Sequence, residues 1–212
     1  ALNVDLDIYS IKNYLDSLEN AREILIKKGR DVVNLCRSIV SNVIRGNYPE
    51  GDVVKLRNLF NELRNAVSSY PELAYSNMFF SISAEYAEAM QVVAIVKERR
   101  ILDSESIGVH PIPYLLGLAD TIGELKRLSL EHVRKNNFDE AYTLLELAEN
   151  IYNMLAMFNY PDSILPGLRR KLDIYRKVLD DWKRFLLDME SRRNLTHRLD
   201  LALKSCSASS TQ

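Results

Sequence analysis

The residues in this chain best suited to chemistry are acidic. Glu85 and Glu88 stand three apart in a segment otherwise dominated by Met, Ile, Ala and Val. At about 100° per residue, Glu85 falls among Met78, Ile82, Ala89, Val92 and Val96, and Glu88 borders the same face. An unpaired carboxylate costs several kcal/mol to bury, so Glu85 calls for a partner, a proton or a metal ion. Asp120 and Glu124, spaced i and i+4, project from one face of a second helical segment, and Arg127 and Glu131 continue that polar stripe. If the two helices pack antiparallel, four carboxylates converge and offer hard oxygen ligands suited to Mg²⁺ or Mn²⁺. Plainer readings stay open. Glu85 pairs with an arginine or reaches solvent through a gap in the stripe, and the Asp120–Glu124 face is simply solvated.

Gly117 and Gly123 flank the second acidic stripe. Glycine costs about 1 kcal/mol inside a helix, so both imply a backbone or ligand at close range. Basic residues gather at Lys27, Lys28, Arg30 and Arg37, at Lys126, Arg127 and Arg134, and at Arg169, Arg170 and Lys171. Arg30, Arg37 and Arg127 are the preferred phosphate contacts: the first two share a helical row and the third flanks the acids. His110, His132 and His197 have no His or Cys at metal-ligand spacing and read as structural or solvent-exposed. The aromatic residues, Trp182 included, mostly follow helical stripes and read as core.

Long helices must carry these groups. Apolar residues from Ile8 to Val43 recur every three or four positions and predict a first helix over 7–45 with one buried face. Asp52 is placed as the N-cap of a second helix reaching Tyr70, and Pro71 opens a third that ends at Arg100. A main loop is expected over 103–113, then a fourth helix from Pro113 to about Lys135 and a fifth from Phe138 to Asn159. The last runs from near Pro166 to about Glu190. No strand-like alternation competes. The expected fold is all-α: a single-domain antiparallel bundle of about six to seven helices over 1–190, with a polar, partly disordered tail over 191–212.

Composition bounds the rest. Among 212 residues, Lys plus Arg (28) nearly balance Asp plus Glu (29), so no global charge announces a nucleic-acid partner and any polyanion must be met by local clusters. No run of about 18 apolar residues predicts a membrane span. Residues 1–7 lack a basic stretch followed by an apolar one, so no signal peptide is expected there. Cys36 and Cys206 lie far apart, which fits a reducing, cytoplasmic setting better than a disulfide framework. A first helix roughly 55 Å long at 1.5 Å per residue exceeds a compact domain of this size and predicts an oligomer.

Two segments resemble a known family. Glu85-Tyr86-Ala87-Glu88-Ala89 is similar to the E-Y-V-E-A segment of translin-associated factor X, and residues Pro113 to Leu125 are similar to its D-Y-L-L-G-x-A-D-x-x-G-E-L segment. Arg30-Asp31 and the stretch Leu168 to Leu172 are weaker echoes. The chain thus resembles the translin/translin-associated factor X family, nearest the factor X branch. Position 84 is Ala where the eukaryotic motif has Gln, which marks a compact, archaeal-type relative. The resemblance implies a translin-like bundle assembled as a closed homo-oligomer, an octamer in the family. It also implies an Mg²⁺- or Mn²⁺-dependent endoribonuclease acting on single-stranded RNA, with Glu85, Glu88, Asp120 and Glu124 as metal ligands and catalytic carboxylates. A non-catalytic relative binding single-stranded RNA or DNA is the alternative that the translin branch implies.

Overall fold

The computed structural model describes residues 7–209, with side chains to residue 205. The expectations for the first six residues, for Cys206 and for the extreme C-terminus lie outside the described residues. Eight helices and no strand occur among the described residues: α1 (Ile8–Ile44), α2 (Glu50–Val67), α3 (Pro71–Ala74), α4 (Asn77–Glu98), α5 (Ser104–Ile107), α6 (Pro111–Arg134), α7 (Phe138–Leu155) and α8 (Leu168–Ser209). The all-α expectation holds. The chain divides into two compact units, residues 1–121 and 122–212.

In the first unit α1 and α2 form an antiparallel hairpin. Lys28 pairs with Glu62, and further out the Tyr14 hydroxyl donates to both Glu72 oxygens at 2.9 Å. The buried face of α1 is Ala21, Leu25, Gly29, Val32, Cys36, Ile39, Val40, Val43 and Ile44. Its first turns depart from expectation: Ile8, Ile11 and Leu15 are exposed because α1 outruns the helices it packs on.

The helix starts also shift. Pro49, not Asp52, precedes α2, and Asp52 sits in the first turn, where its charge still favours the helix N-terminus. The expected third helix is broken: α3 spans one turn, Tyr75 leaves the helix, and Ser76 caps α4 by accepting from the Phe79 amide at 3.1 Å.

α4 is buried around most of its circumference, from Phe79 to Ile95. It is the one helix among the described residues long and apolar enough to cross a membrane by composition, yet 72% of that stretch is buried within the protein, so core packing accounts for its apolarity. Tyr86 stacks on Phe60 of α2 with ring centroids 3.9 Å apart. Burial pushes its phenol up to about 12. An acid whose folded pKa is raised contributes stability that is complete below its unfolded pKa near 10 and is lost as pH rises towards 12. Tyr86→Phe should therefore remove roughly 2–3 kcal/mol of alkaline destabilisation between those limits, measured by urea unfolding at pH 8 and pH 11.5. Identical pH profiles for the two proteins would contradict this.

The segment between α4 and α6 sets where α6 begins. Arg99 ends α4 in the left-handed region (φ 57°). The buried Gln91 amide then holds Leu102 by two hydrogen bonds of 2.7 and 3.0 Å. Asp103 caps the single turn of α5, and Arg64 Nη1 donates to the Gly108 carbonyl at 3.0 Å. The chain has by then run back beside α4 from the level of Gln91 to that of Phe80, on which His110 stacks.

In the second unit α6 continues into α7 and α8. Trp182 of α8 is wholly buried, and its indole donates to Ser129 Oγ at 3.1 Å. Ser129 donates in turn to the Ala141 carbonyl at 3.1 Å, tying all three helices together. The helix expected to stop near Glu190 runs on to Ser209, with Leu195, Leu199, Leu201 and Leu203 exposed along the extension.

Candidate carboxylate site

Glu85 and Glu88 occupy the part of α4 that its neighbours leave uncovered, and both are half-buried. Glu85 is not an orphan: its Oε2 lies 3.8 Å from Arg37 Nε of α1, with the glutamate side chain 37% and the arginine 69% exposed. This is the plainer of the two readings left open by the sequence: Glu85 meets an arginine where the cover of α4 opens to solvent. Cys36, one residue before Arg37, is a buried free thiol. Burial, then the charges of Glu85 and Glu88, push that thiol well above its usual range, so both carboxylates act on one point of α1.

α6 meets α4 at Gly117, which lies on the Ala84–Glu88 turn, while one turn earlier the Tyr114 hydroxyl donates to the Leu102 carbonyl that Gln91 also holds, and His110 ahead of the helix lies against Phe80. A Cβ on Gly117 would stand 2.5 Å from the Ala84 carbonyl oxygen and 2.9 Å from the Ala87 Cβ, so only glycine permits this approach. The close approach expected at Gly117 is therefore real. Gly123 is different: a Cβ there would meet the Tyr175 ring at an ordinary 3.5 Å.

Asp120 is half-buried on the next turn of α6 after Gly117. Glu124 follows one turn later, 17% exposed, with Arg127 Nη1 2.7 Å from its Oε2. Arg30 is exposed on α1. Among the described residues no group of three or more His, Cys, Asp or Glu side chains is gathered to hold a metal ion. By donor chemistry Glu85, Glu88 and Asp120 of the first unit offer the oxygen donors that Mg²⁺ or Mn²⁺ would take, and all three are partly solvent-accessible. Cys36 and Gln91 were not singled out from sequence. The one signal for Gln91 was an amide inside an apolar run.

An all-α chain with paired carboxylates on a buried helix, and a glycine contact bringing a second acid-bearing helix against it, defines the class. The Translin family matches residues 20–192, and the chain belongs to that family. An uncharacterized protein of Methanocaldococcus jannaschii is 26% identical over 190 residues, covering 86% of this chain and 84% of that protein. Among solved structures, AfC3PO is 27% identical with a TM-score of 0.81, over 89% of this chain and 99% of that one. A complex of AfC3PO with duplex RNA matches equally well, over 98% of its chain, and apo-NeC3PO is 27% identical at a TM-score of 0.77, over 89% of this chain and 99% of that chain.

Proposed function

We propose that this protein is a metal-dependent endoribonuclease that hydrolyses phosphodiester bonds of single-stranded RNA within a homo-oligomer. The observation that carries this reading is the neighbouring of Glu85 and Arg37 at a solvent-accessible point of the first unit. It sets an acid fit for metal binding beside a cation fit for phosphate. The likeness to a protein solved with duplex RNA supports an RNA ligand. Exposed apolar residues on the first turns of α1 support assembly with further copies.

In this reading Glu85, Glu88, Asp120 and Glu124 would hold Mg²⁺ or Mn²⁺. When bound, such an ion supplies an activated water and offsets the charge developing on the phosphate. Glu88, beside the Gly117 contact, would position the attacking water or take its proton. Arg30, Arg37 and Arg127 neutralise phosphates. The test is to incubate labelled single-stranded and duplex RNA with the protein, with and without each metal. Cleavage in the presence of metal alone is expected, and binding without cleavage under every metal defeats the enzymatic reading.

Each phosphate contact has its own signature. Alanine at Arg30, Arg37 or Arg127 should weaken binding across sequences and flatten the log–log salt slope by about 0.7 per contact on single strands. Slopes unchanged in all three variants would remove these arginines from the interface. A second reading has an observation in its favour: Glu85–Arg37 and Glu124–Arg127 are both ion pairs, as expected of a non-catalytic binding protein whose acids are structural.

A further inference from the structure

Outside the carboxylates, the start of α4 and the segment entering α6 bring together three aromatic rings that the core does not absorb. Phe80 and His110 stack with centroids 5.0 Å apart and planes at 25°. Tyr75 stands perpendicular to His110 at 6.0 Å and edge-on to Phe80 at 6.4 Å. Tyr75 is 67% exposed, His110 is exposed and Phe80 is half-buried. An aromatic corner of this kind in contact with water offers flat apolar faces to a planar ligand.

Two polar details fix the chemistry around it. The Ile112 amide donates to His110 Nδ1 at 3.2 Å, so the neutral imidazole carries its proton on Nε2, as an outward donor. Arg64 is anchored by Nη1 to the Gly108 carbonyl and makes no ion pair among the described residues, which leaves its other N–H groups for an anion. Flat rings, one ring donor and an anchored guanidinium match a nucleotide: a base to stack on, a base edge to bond and a phosphate to neutralise. A methylated ammonium fits less well, because Phe80 and His110 spend a face on each other and Arg64 repels a cation.

We propose that Tyr75, Phe80 and His110 form a stacking subsite for an unpaired nucleobase of RNA, with Arg64 on the adjoining phosphate. This rests on the RNA reading above and adds a positioning site to it. Phe80 precedes Glu85 by roughly 7.5 Å of helix and Glu88 by roughly 12 Å. A stacked strand at ~3.4 Å per nucleotide covers that span in about two to four nucleotides. The subsite would thus hold one base a few nucleotides along α4 from the carboxylates, about 80° round the helix from Glu88 and about 140° from Glu85.

The experiment uses the full chain and a single-stranded oligoribonucleotide carrying 2-aminopurine, without added metal, read by anisotropy and by fluorescence quenching. The unaltered protein should bind and quench. Tyr75→Ala combined with His110→Ala should bind roughly 5- to 100-fold more weakly and lose the quench. Tyr75→Phe, which keeps the ring, should retain both, and affinity for blunt duplex RNA should not change in any variant. Both altered side chains are exposed, and matching circular dichroism and unfolding midpoints exclude a folding defect. Unchanged binding and quenching in the double variant overturns the subsite and leaves the RNA reading standing. Failure of the unaltered chain to bind any RNA overturns both. Binding of a trimethyl-lysine peptide that displaces no RNA and needs the same rings also overturns the subsite.

Discussion

Glu85→Ala and Asp120→Ala should each lower metal-dependent RNA cleavage by about 10²–10⁴-fold, the range for loss of a positioned acid or base. Both positions are half-buried, so the protein should remain folded and assembled. Glu85→Ala carries a second readout. Glu85 lies against Arg37, so removing its charge frees the guanidinium for phosphate, and Glu85→Ala should bind RNA at least as tightly as the unaltered protein while cutting it far less. Asp120→Ala is scored on the same two readouts. Cleavage and affinity are measured on the same labelled strand, with and without Mn²⁺. Full activity in Glu85→Ala would end the carboxylate mechanism. A parallel fall in binding and cleavage would point instead to a structural ion pair.

The largest stability effect should come from Trp182→Ala. The side chain is wholly buried, and its removal leaves a cavity among α6, α7 and α8 worth about 3–5 kcal/mol. It also takes the indole donor from Ser129 Oγ, at a further cost of about 1 kcal/mol because that hydroxyl is fully buried. For a chain of this length the melting temperature should fall by roughly 10–15 °C. Trp182→Phe, which keeps most of the volume but no donor, should lose less. A shift of under about 2 °C for the alanine variant would mean that the three helices are held together by something other than this relay.

Helix existence was readable from the chain because apolar spacing and a shortage of glycine and proline are local properties. The residues Val32, Ile39, Leu56, Phe60 and Trp182 are buried as their spacing implies. Ends were less readable. The break at Tyr75–Ser76 turns on one capping hydroxyl, and α8 continues past Glu190 with Leu195, Leu199, Leu201 and Leu203 exposed. The candidate site was half legible: the acid pairs and Gly117 stand out as types in the wrong place, and the family segments run through them.

Where α6 meets α4 was not legible, because it depends on the path of the intervening segment, which Gln91 holds at Leu102 and Arg64 at Gly108. The same return path brings His110 to Phe80, so an aromatic corner that spacing could not reveal comes into being. Sequence by itself determined the helices, the family and the acids. Tertiary structure alone decided which of these groups meet, because contacts between residues far apart in the chain are made by the path of the connections and by the few side chains that hold them.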